Sequence, residues 1–207
     1  MFNLDIPERP DRSLKLYEAG NNWMQDGYVY KIKSGSENIW HMYASGYLEA
    51  TIKLIEIAKK EEFTYDTFGY PIFYLFSHYL ELRMKDIINT GNPLIGEAGG
   101  YPRGHNLNTL WETCKEILKG IQGWEEYKDL GKETRKDYET IDRIIKKIAM
   151  NEQAQQFRYP VDTSGKPFLA DDSIHVFSID IISQVVDWLS MKIEGFSTDI
   201  DEYWEHI

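Results

Sequence analysis

Apolar side chains recur at three- and four-residue intervals through most of this 207-residue chain, and this spacing constrains the fold more than any other feature. The interval matches the turn of an α-helix, so the apolar side chains of each segment share one face. Five long segments follow it, whereas the alternation typical of a strand is clear only in residues 28–33. The sequence therefore predicts an all-α bundle.

Connections rich in Gly, Pro and charged residues separate the five predicted helices. Pro71 is placed in the first turn of the second helix, because the N–H that proline lacks would be unpaired there in any case. The last helix carries the most continuous apolar stripe, and we expect it to be the central core helix. The predicted helices cover about residues 37–60, Pro71 to Asn89, His105 or Asn106 to Lys119, 132–155, and Asp171, Asp172 or Ser173 to Ile193.

These helices predict an up-down bundle over residues 37–195. A short extended N-terminal segment, residues 1–36, would precede the bundle, and an acidic C-terminal tail, residues 196–207, would follow it. The sequence Asp-Thr-Ser-Gly-Lys at residues 162–166 reads as a turn between two short extended pieces, which predicts a small hairpin or ordered loop before the last helix.

The overall composition narrows the class of protein. Hydrophobic residues make up 42% of the chain and charged residues 28%, which is typical of a folded globular protein. No apolar run approaches the roughly 20 residues of a membrane span, and the first residues lack the apolar core of a signal peptide. The single cysteine, Cys114, excludes an intramolecular disulfide and a cysteine-based zinc site. We expect a cytoplasmic protein with no membrane contact.

The net charge of −11 argues against a broad nucleic-acid-binding surface, which needs clustered Lys and Arg. A local basic site within an acidic protein remains open.

Polar side chains of the second predicted helix fall into two sets. Successive residues lie about 100° apart around a helix, so His78, Glu81 and Lys85 share one stripe. The stripe is either a solvated face with a Glu81–Lys85 ion pair or part of a site. Arg83 projects into the apolar side, where its guanidinium either reaches past the core to water or is buried against a carboxylate.

Two residues elsewhere could join the stripe. His105 stands just before the third helix, and Arg158 lies in the loop Phe-Arg-Tyr-Pro-Val-Asp that follows the fourth. An arginine in such a loop can present a bidentate fork to a phosphate or carboxylate. The structural alternatives are a histidine anchored to a neighbouring helix and an arginine in a salt bridge.

These residues carry a resemblance to a known family. The pattern His78–Glu81–Leu82–Lys85, followed by Gly104–His105–Asn106–Leu107–Leu110 and later by Phe-Arg-Tyr-Pro-Val-Asp, resembles the HEPN superfamily over about residues 40–195. The resemblance implies a HEPN-like helical bundle, frequent dimerisation, and a place in prokaryotic defence or toxin–antitoxin systems. Some HEPN proteins are metal-independent ribonucleases.

The sequence departs from the HEPN ribonuclease signature, which is an arginine and a histidine separated by four to six residues. Arg158 is too far from His175, and Arg103 is too close to His105. We therefore expect a non-catalytic or weakly catalytic interaction or assembly module that forms a homodimer or binds a protein partner. The alternative is a metal-independent ribonuclease, or a nucleotide-acting enzyme, with RNA as partner and a catalytic set of His78, Glu81, Lys85, His105 and Arg158.

In that alternative, His78 or His105 removes the 2′-hydroxyl proton and the other protonates the leaving oxygen, while Lys85 or Arg158 stabilises the charged phosphorane. The duplicated Glu-x-x-His motif of di-iron bundles is missing, as are the P-loop and the GxGxxG, GxSxG and HExxH motifs. We expect no metal and no cofactor.

Overall fold

Five α-helices account for most of the chain that the structure, a computed structural model, describes: residues 39–61, 65–149, 157–168 and 177–206. The helices are α1 (Ile39–Lys60), α2 (Tyr65–Gly91), α3 (Leu107–Gln122), α4 (Lys132–Ile148) and α5 (Ile179–Glu205). Short 3₁₀ turns occur at Asn92–Ile95 and Tyr127–Asp129. The all-α bundle is confirmed. The predicted N-terminal segment, residues 1–36, lies outside the described ranges.

Helix α2 occupies the centre, and α1, α3 and α5 all pack against it. Thirteen of its residues are buried, compared with six in α5. The expectation that the last helix is the central one is therefore wrong. Ile181 shows part of the reason, because it is 62% exposed although it belongs to the predicted stripe of α5. The buried apolar residues of α2 are Ile72, Phe76, Tyr79, Leu80, Met84, Ile87 and Ile88.

The N-terminal end of α2 was predicted incorrectly, because Pro71 is the seventh residue of the helix and not in its first turn. Proline at this position removes only the hydrogen bond to the carbonyl of Thr67, four residues earlier. Thr67 is exposed, so water can donate to that carbonyl instead. One lost bond so close to the helix start leaves the remaining ladder intact.

Both ends of α5 also differ from the prediction. The helix begins at Ile179, where the Ser178 hydroxyl accepts a hydrogen bond from Ile181 N at 3.4 Å. It continues past Ile193 to Glu205, so residues 196–205, assigned above to an acidic tail, are helical. Burial of Ile200 explains the extension, since this side chain continues the apolar face of the helix into the core.

Residues 161–167 form the predicted hairpin around a single antiparallel bridge between Val161 and Pro167. The Asp162 carboxylate accepts hydrogen bonds from Ser164 Oγ at 2.6 Å, Lys166 N at 2.9 Å and Ser164 N at 2.8 Å. These donors stabilise the charged form and lower the pKa of Asp162. Gly165 adopts φ = 82°, a left-handed conformation that glycine tolerates without strain.

Candidate functional site

Helix α2 presents His78, Glu81 and Lys85 along one face, as their three- and four-residue spacing predicts. His105 reaches the same face from the residue before the N-cap of α3. Asn106 is that N-cap, and its side chain accepts a hydrogen bond from Thr109 N at 3.2 Å. The loop that leads to His105 is held further back, where Tyr101 stacks on Trp40 with ring centroids 4.1 Å apart.

The Glu81 carboxylate joins these groups. Its Oε1 lies 2.9 Å from Lys85 Nζ and 2.7 Å from His105 Nδ1. A carboxylate only accepts, so His105 Nδ1 carries the proton of this hydrogen bond. In the neutral ring, Nε2 then has a free lone pair, which is the arrangement of a histidine general base oriented by a carboxylate.

Lys85 lies behind this hydrogen bond rather than in the open. Its side chain is 7% exposed, and its Nζ is 3.5 Å from His105 Nδ1. An ammonium buried to this degree needs its counter-charge, which Glu81 supplies. Lys85 therefore fixes the position of Glu81.

His78 lies on the other side of Glu81, with Nδ1 4.0 Å from Oε2. Its ring contacts Tyr47 edge-on at 4.4 Å between centroids and stacks with Tyr74 at 6.0 Å and 10°. Desolvation by this burial lowers the pKa of His78, and the positive charge of Arg158 acts in the same direction. The nearby negative charge of Glu81 raises the pKa; its effect is smaller than that of desolvation but larger than that of Arg158.

Arg158 lies near the start of the hairpin segment, residues 157–168, which contains the hairpin of residues 161–167. Its guanidinium lies between two tyrosine rings. The guanidinium carbon lies 5.4 Å from the Tyr74 ring centroid and 5.3 Å from that of Tyr159, within the range of a cation–π contact. Across residues 39–61, 65–149, 157–168 and 177–206, no carboxylate forms an ion pair with Arg158. The salt bridge that the sequence offered as the structural alternative for Arg158 is therefore not seen among the described residues, and with respect to them its N–H donors are available for an anion.

These groups surround one cleft of about 260 Å³. Four of the five candidate residues line it, namely His78, Glu81, His105 and Arg158, and Lys85 supports Glu81 from below. The sequence reasoning missed the remaining lining residues. Tyr74 lies one helical turn before His78, so helical spacing could have identified it. Leu107 was part of the family pattern but was not assigned to the site, and Ser77 gave no signal. The lining residues are Tyr74, Ser77, His78, Glu81, His105, Leu107 and Arg158.

Arg83 takes no part in this cleft, since it is buried in the core and 3% exposed. Its Nε donates to Glu194 Oε1 at 2.9 Å, and its NH1 donates to Asp86 Oδ2 at 2.8 Å. Tyr79 Oη donates to Glu194 Oε1 at 2.9 Å. Of the two arrangements considered for Arg83, burial against a carboxylate is the one that occurs, and the ion pair links α2 to α5.

Burial raises the pKa of two acidic groups beside Arg83, the Tyr79 hydroxyl and the Asp86 carboxyl. Desolvation is the main cause for Tyr79 and for Asp86, and in both cases the positive charge of Arg83 partly opposes it. Four internal hydrogen bonds link these side chains, so the cluster has the character of a structural tie.

Two features are absent from the described part of the chain. No group of three or more His, Cys, Asp or Glu side chains is arranged to hold a metal ion among those residues. None of the helices described there combines the length and the apolar character needed to cross a membrane.

Comparison with known proteins gives no match: no protein-family model, no curated protein and no solved structure matches the sequence.

Proposed function

We propose that the cleft is the active site of a metal-independent ribonuclease. The observation that supports this function is the convergence on one cleft of two imidazoles and an arginine that has no carboxylate partner among the described residues. Cleavage of RNA without a metal needs a base for the 2′-hydroxyl, an acid for the leaving oxygen and a cation for the phosphorane. The residues of the cleft supply all three.

The hydrogen bond from His105 Nδ1 to Glu81 selects His105 as the base. Its Nε2 takes the proton of the 2′-hydroxyl while O2′ attacks phosphorus, and Glu81 stabilises the imidazolium that forms. The P–O5′ bond breaks as protonated His78 gives its proton to O5′. The products are a 2′,3′-cyclic phosphate and a free 5′-hydroxyl.

Arg158 binds the phosphoryl oxygens in this scheme, because its guanidinium is the cation that lines the cleft without an ion-pair partner in the described residues. Lys85 acts indirectly in this scheme, because it holds Glu81 in position. The sequence left open whether Lys85 or Arg158 stabilises the phosphorane, and this scheme assigns that role to Arg158.

The test is cleavage of a short fluorogenic RNA in the presence of a chelator. His105→Ala and His78→Ala should each lower kcat by about 10²–10⁴-fold, while His206→Ala, at the end of α5, should have no effect. A substrate with a single 2′-deoxyribose at the cleaved position should be inert. Equal cleavage of that substrate, or full activity of both histidine variants, would refute the proposal.

The pH profile gives an independent prediction. His78 must be protonated to act as the acid, and its pKa is lowered from the ordinary histidine value. In the wild type the deprotonation of the base His105 offsets this loss, so the residual kcat/KM of His105→Ala is the quantity that should fall with rising pH already below about 6.5, the usual histidine pKa. A profile that rises through this range and stays level to pH 8 would contradict the role of His78.

A second candidate function is the interaction module favoured by the sequence, with a second copy of the chain as the partner. Large apolar side chains are exposed on the adjacent helices α1 and α5: Met42, Ile57, Ile181 and Met191. Burying such side chains is a common driving force of homodimers. Sedimentation of the protein and of Ile181→Asp tests this: a dimer that the substitution converts to a monomer supports it, and a wild-type monomer rejects it.

A further inference from the structure

Four planar groups form a ladder beside the cleft. His78 stacks with Tyr74 at 6.0 Å, the Arg158 guanidinium lies 5.4 Å from Tyr74, and Tyr159 lies 5.3 Å from the guanidinium on the hairpin segment. The catalytic imidazole is thus at one end and an exposed tyrosine at the other. The ladder is defined by His78, Tyr74, Arg158 and Tyr159.

Tyr159 is the open end of this ladder. The residue is 53% exposed although one neighbour of its ring is the guanidinium. Proteins that bind single-stranded nucleic acids commonly place an exposed aromatic ring next to a phosphate-binding cation. A base stacks on the ring while the cation binds the phosphate of the backbone.

The size of the cleft also favours a base that is bound outside it. Its volume of about 260 Å³ lies below the range of about 300–1,000 Å³ that is usual for larger ligands. A cleft of this size holds little more than one backbone unit, so the adjoining base must lie outside it. Tyr159 is placed to receive that base.

We infer that Tyr159 forms a base-stacking subsite for unpaired nucleotides, so that the protein selects single-stranded nucleic acid whose phosphate reaches Arg158. The inference rests on the proposed function, because it takes Arg158 as the phosphate-binding group. It adds a substrate class that the acid–base residues alone do not specify. A base in a duplex is already stacked on its neighbours and cannot use this ring.

Binding of an RNA that cannot be cleaved tests the subsite separately from the chemistry. The probe is a fluorescent five-nucleotide RNA with 2′-O-methyl riboses, compared with an abasic strand of the same length and charge. Wild type should bind the strand that carries bases about tenfold more tightly. Tyr159→Ala should remove this difference, and Tyr159→Phe should keep it.

Two controls make the result specific. Tyr203→Ala removes another exposed tyrosine, near the C-terminal end of α5, and should leave the difference unchanged. Arg158→Ala should weaken binding of both strands alike. A blunt duplex of the same sequence should bind less tightly than the single strand.

Equal affinity of wild type for the two strands, absence of binding to either, or a Tyr159→Ala variant that still discriminates would overturn the inference. Base-dependent binding without cleavage of the unmodified RNA would reject the ribonuclease and leave the stacking subsite standing. Cleavage of the unmodified RNA without a base preference in binding would support the ribonuclease and reject the stacking subsite.

Discussion

Glu81 is the residue on which the geometry of the candidate site depends, because one of its oxygens accepts from both Lys85 and His105. It therefore has two separable effects, one on the charge balance beneath the cleft and one on the orientation of the imidazole. Substitutions can distinguish them.

Glu81→Gln should lower stability by about 3 kcal/mol, because it leaves the ammonium of Lys85 buried without a counter-charge. The double variant Glu81→Gln/Lys85→Met removes the ammonium as well and should recover most of the loss in urea unfolding. RNA cleavage should remain low in both variants, since neither has a carboxylate for His105. Recovery of activity together with stability would show that Glu81 serves the fold alone.

Arg83 illustrates what can and cannot be deduced at the scale of a residue. Its position among apolar neighbours of α2 required a carboxylate partner or an escape to water, and the sequence left both open. One partner, Asp86, is three residues along the same helix. The other, Glu194, is 111 residues away in α5, so only the packing of the two helices identifies it.

At the scale of the helix, two glycines provide a matched comparison. A Cβ added at Gly91, in the last turn of α2, would lie 2.5 Å from Ile117 Cγ2 and 3.3 Å from Ile200 Cδ1. At Gly195, within α5, an added Cβ would meet nothing within 4 Å. The first glycine allows helices to approach closely, whereas the second has no such role.

Gly195→Ala should therefore raise the free energy of unfolding by about 0.5–1 kcal/mol, the usual difference in helix propensity. Gly91→Ala should lower it despite the same propensity, because the Cγ2 methyl of Ile117 is fixed to a branched and fully buried carbon. Denaturant titration of the two variants beside wild type provides the measurement. Stabilisation by both would show that the α2–α3 contact adapts without cost.

The number and type of helices could be predicted from sequence, because their periodicity is local information. Their limits depended on tertiary contacts. Pro71 suggested a helix start, but the preceding turn is helical. The last helix was predicted to end near Ile193, but burial of Ile200 carries α5 onward. The central position of α2 was also missed, since an apolar stripe does not say how many neighbours cover it.

The candidate site was more accessible to sequence reasoning than its surroundings. Helical spacing was enough to group His78, Glu81 and Lys85, and the structure adds His105 and Arg158 to that group. Tyr159, next to Arg158 in the chain, was overlooked because an exposed tyrosine has no signature until its ring is seen against the guanidinium.

At the scale of the whole molecule, the net charge of −11 limits how nucleic acid can bind. An acidic surface repels phosphates outside the cleft, so Arg158 should account for most of the electrostatic attraction. For single strands, log K falls with log salt by about 0.7 for each phosphate neutralised.

The uncleavable RNA should therefore show a slope between about −0.7 and −1.4, equivalent to one or two phosphates, when titrated over a range of salt concentrations. Arg158→Ala should bring the slope close to zero. A slope of about −3 or steeper in wild type would require a further basic surface and would contradict binding through this cleft alone.

The candidate site combines residues from three distant parts of the chain. This separation affects the order in which its contacts form during folding. The pair of Glu81 and His105 closes a loop of 24 residues, whereas contact between Tyr74 and Arg158 needs residues 84 positions apart. Longer loops close later. In stopped-flow refolding, helical circular dichroism should return first and ribonuclease activity last, so the nascent protein would be harmless to RNA until its final contacts are made.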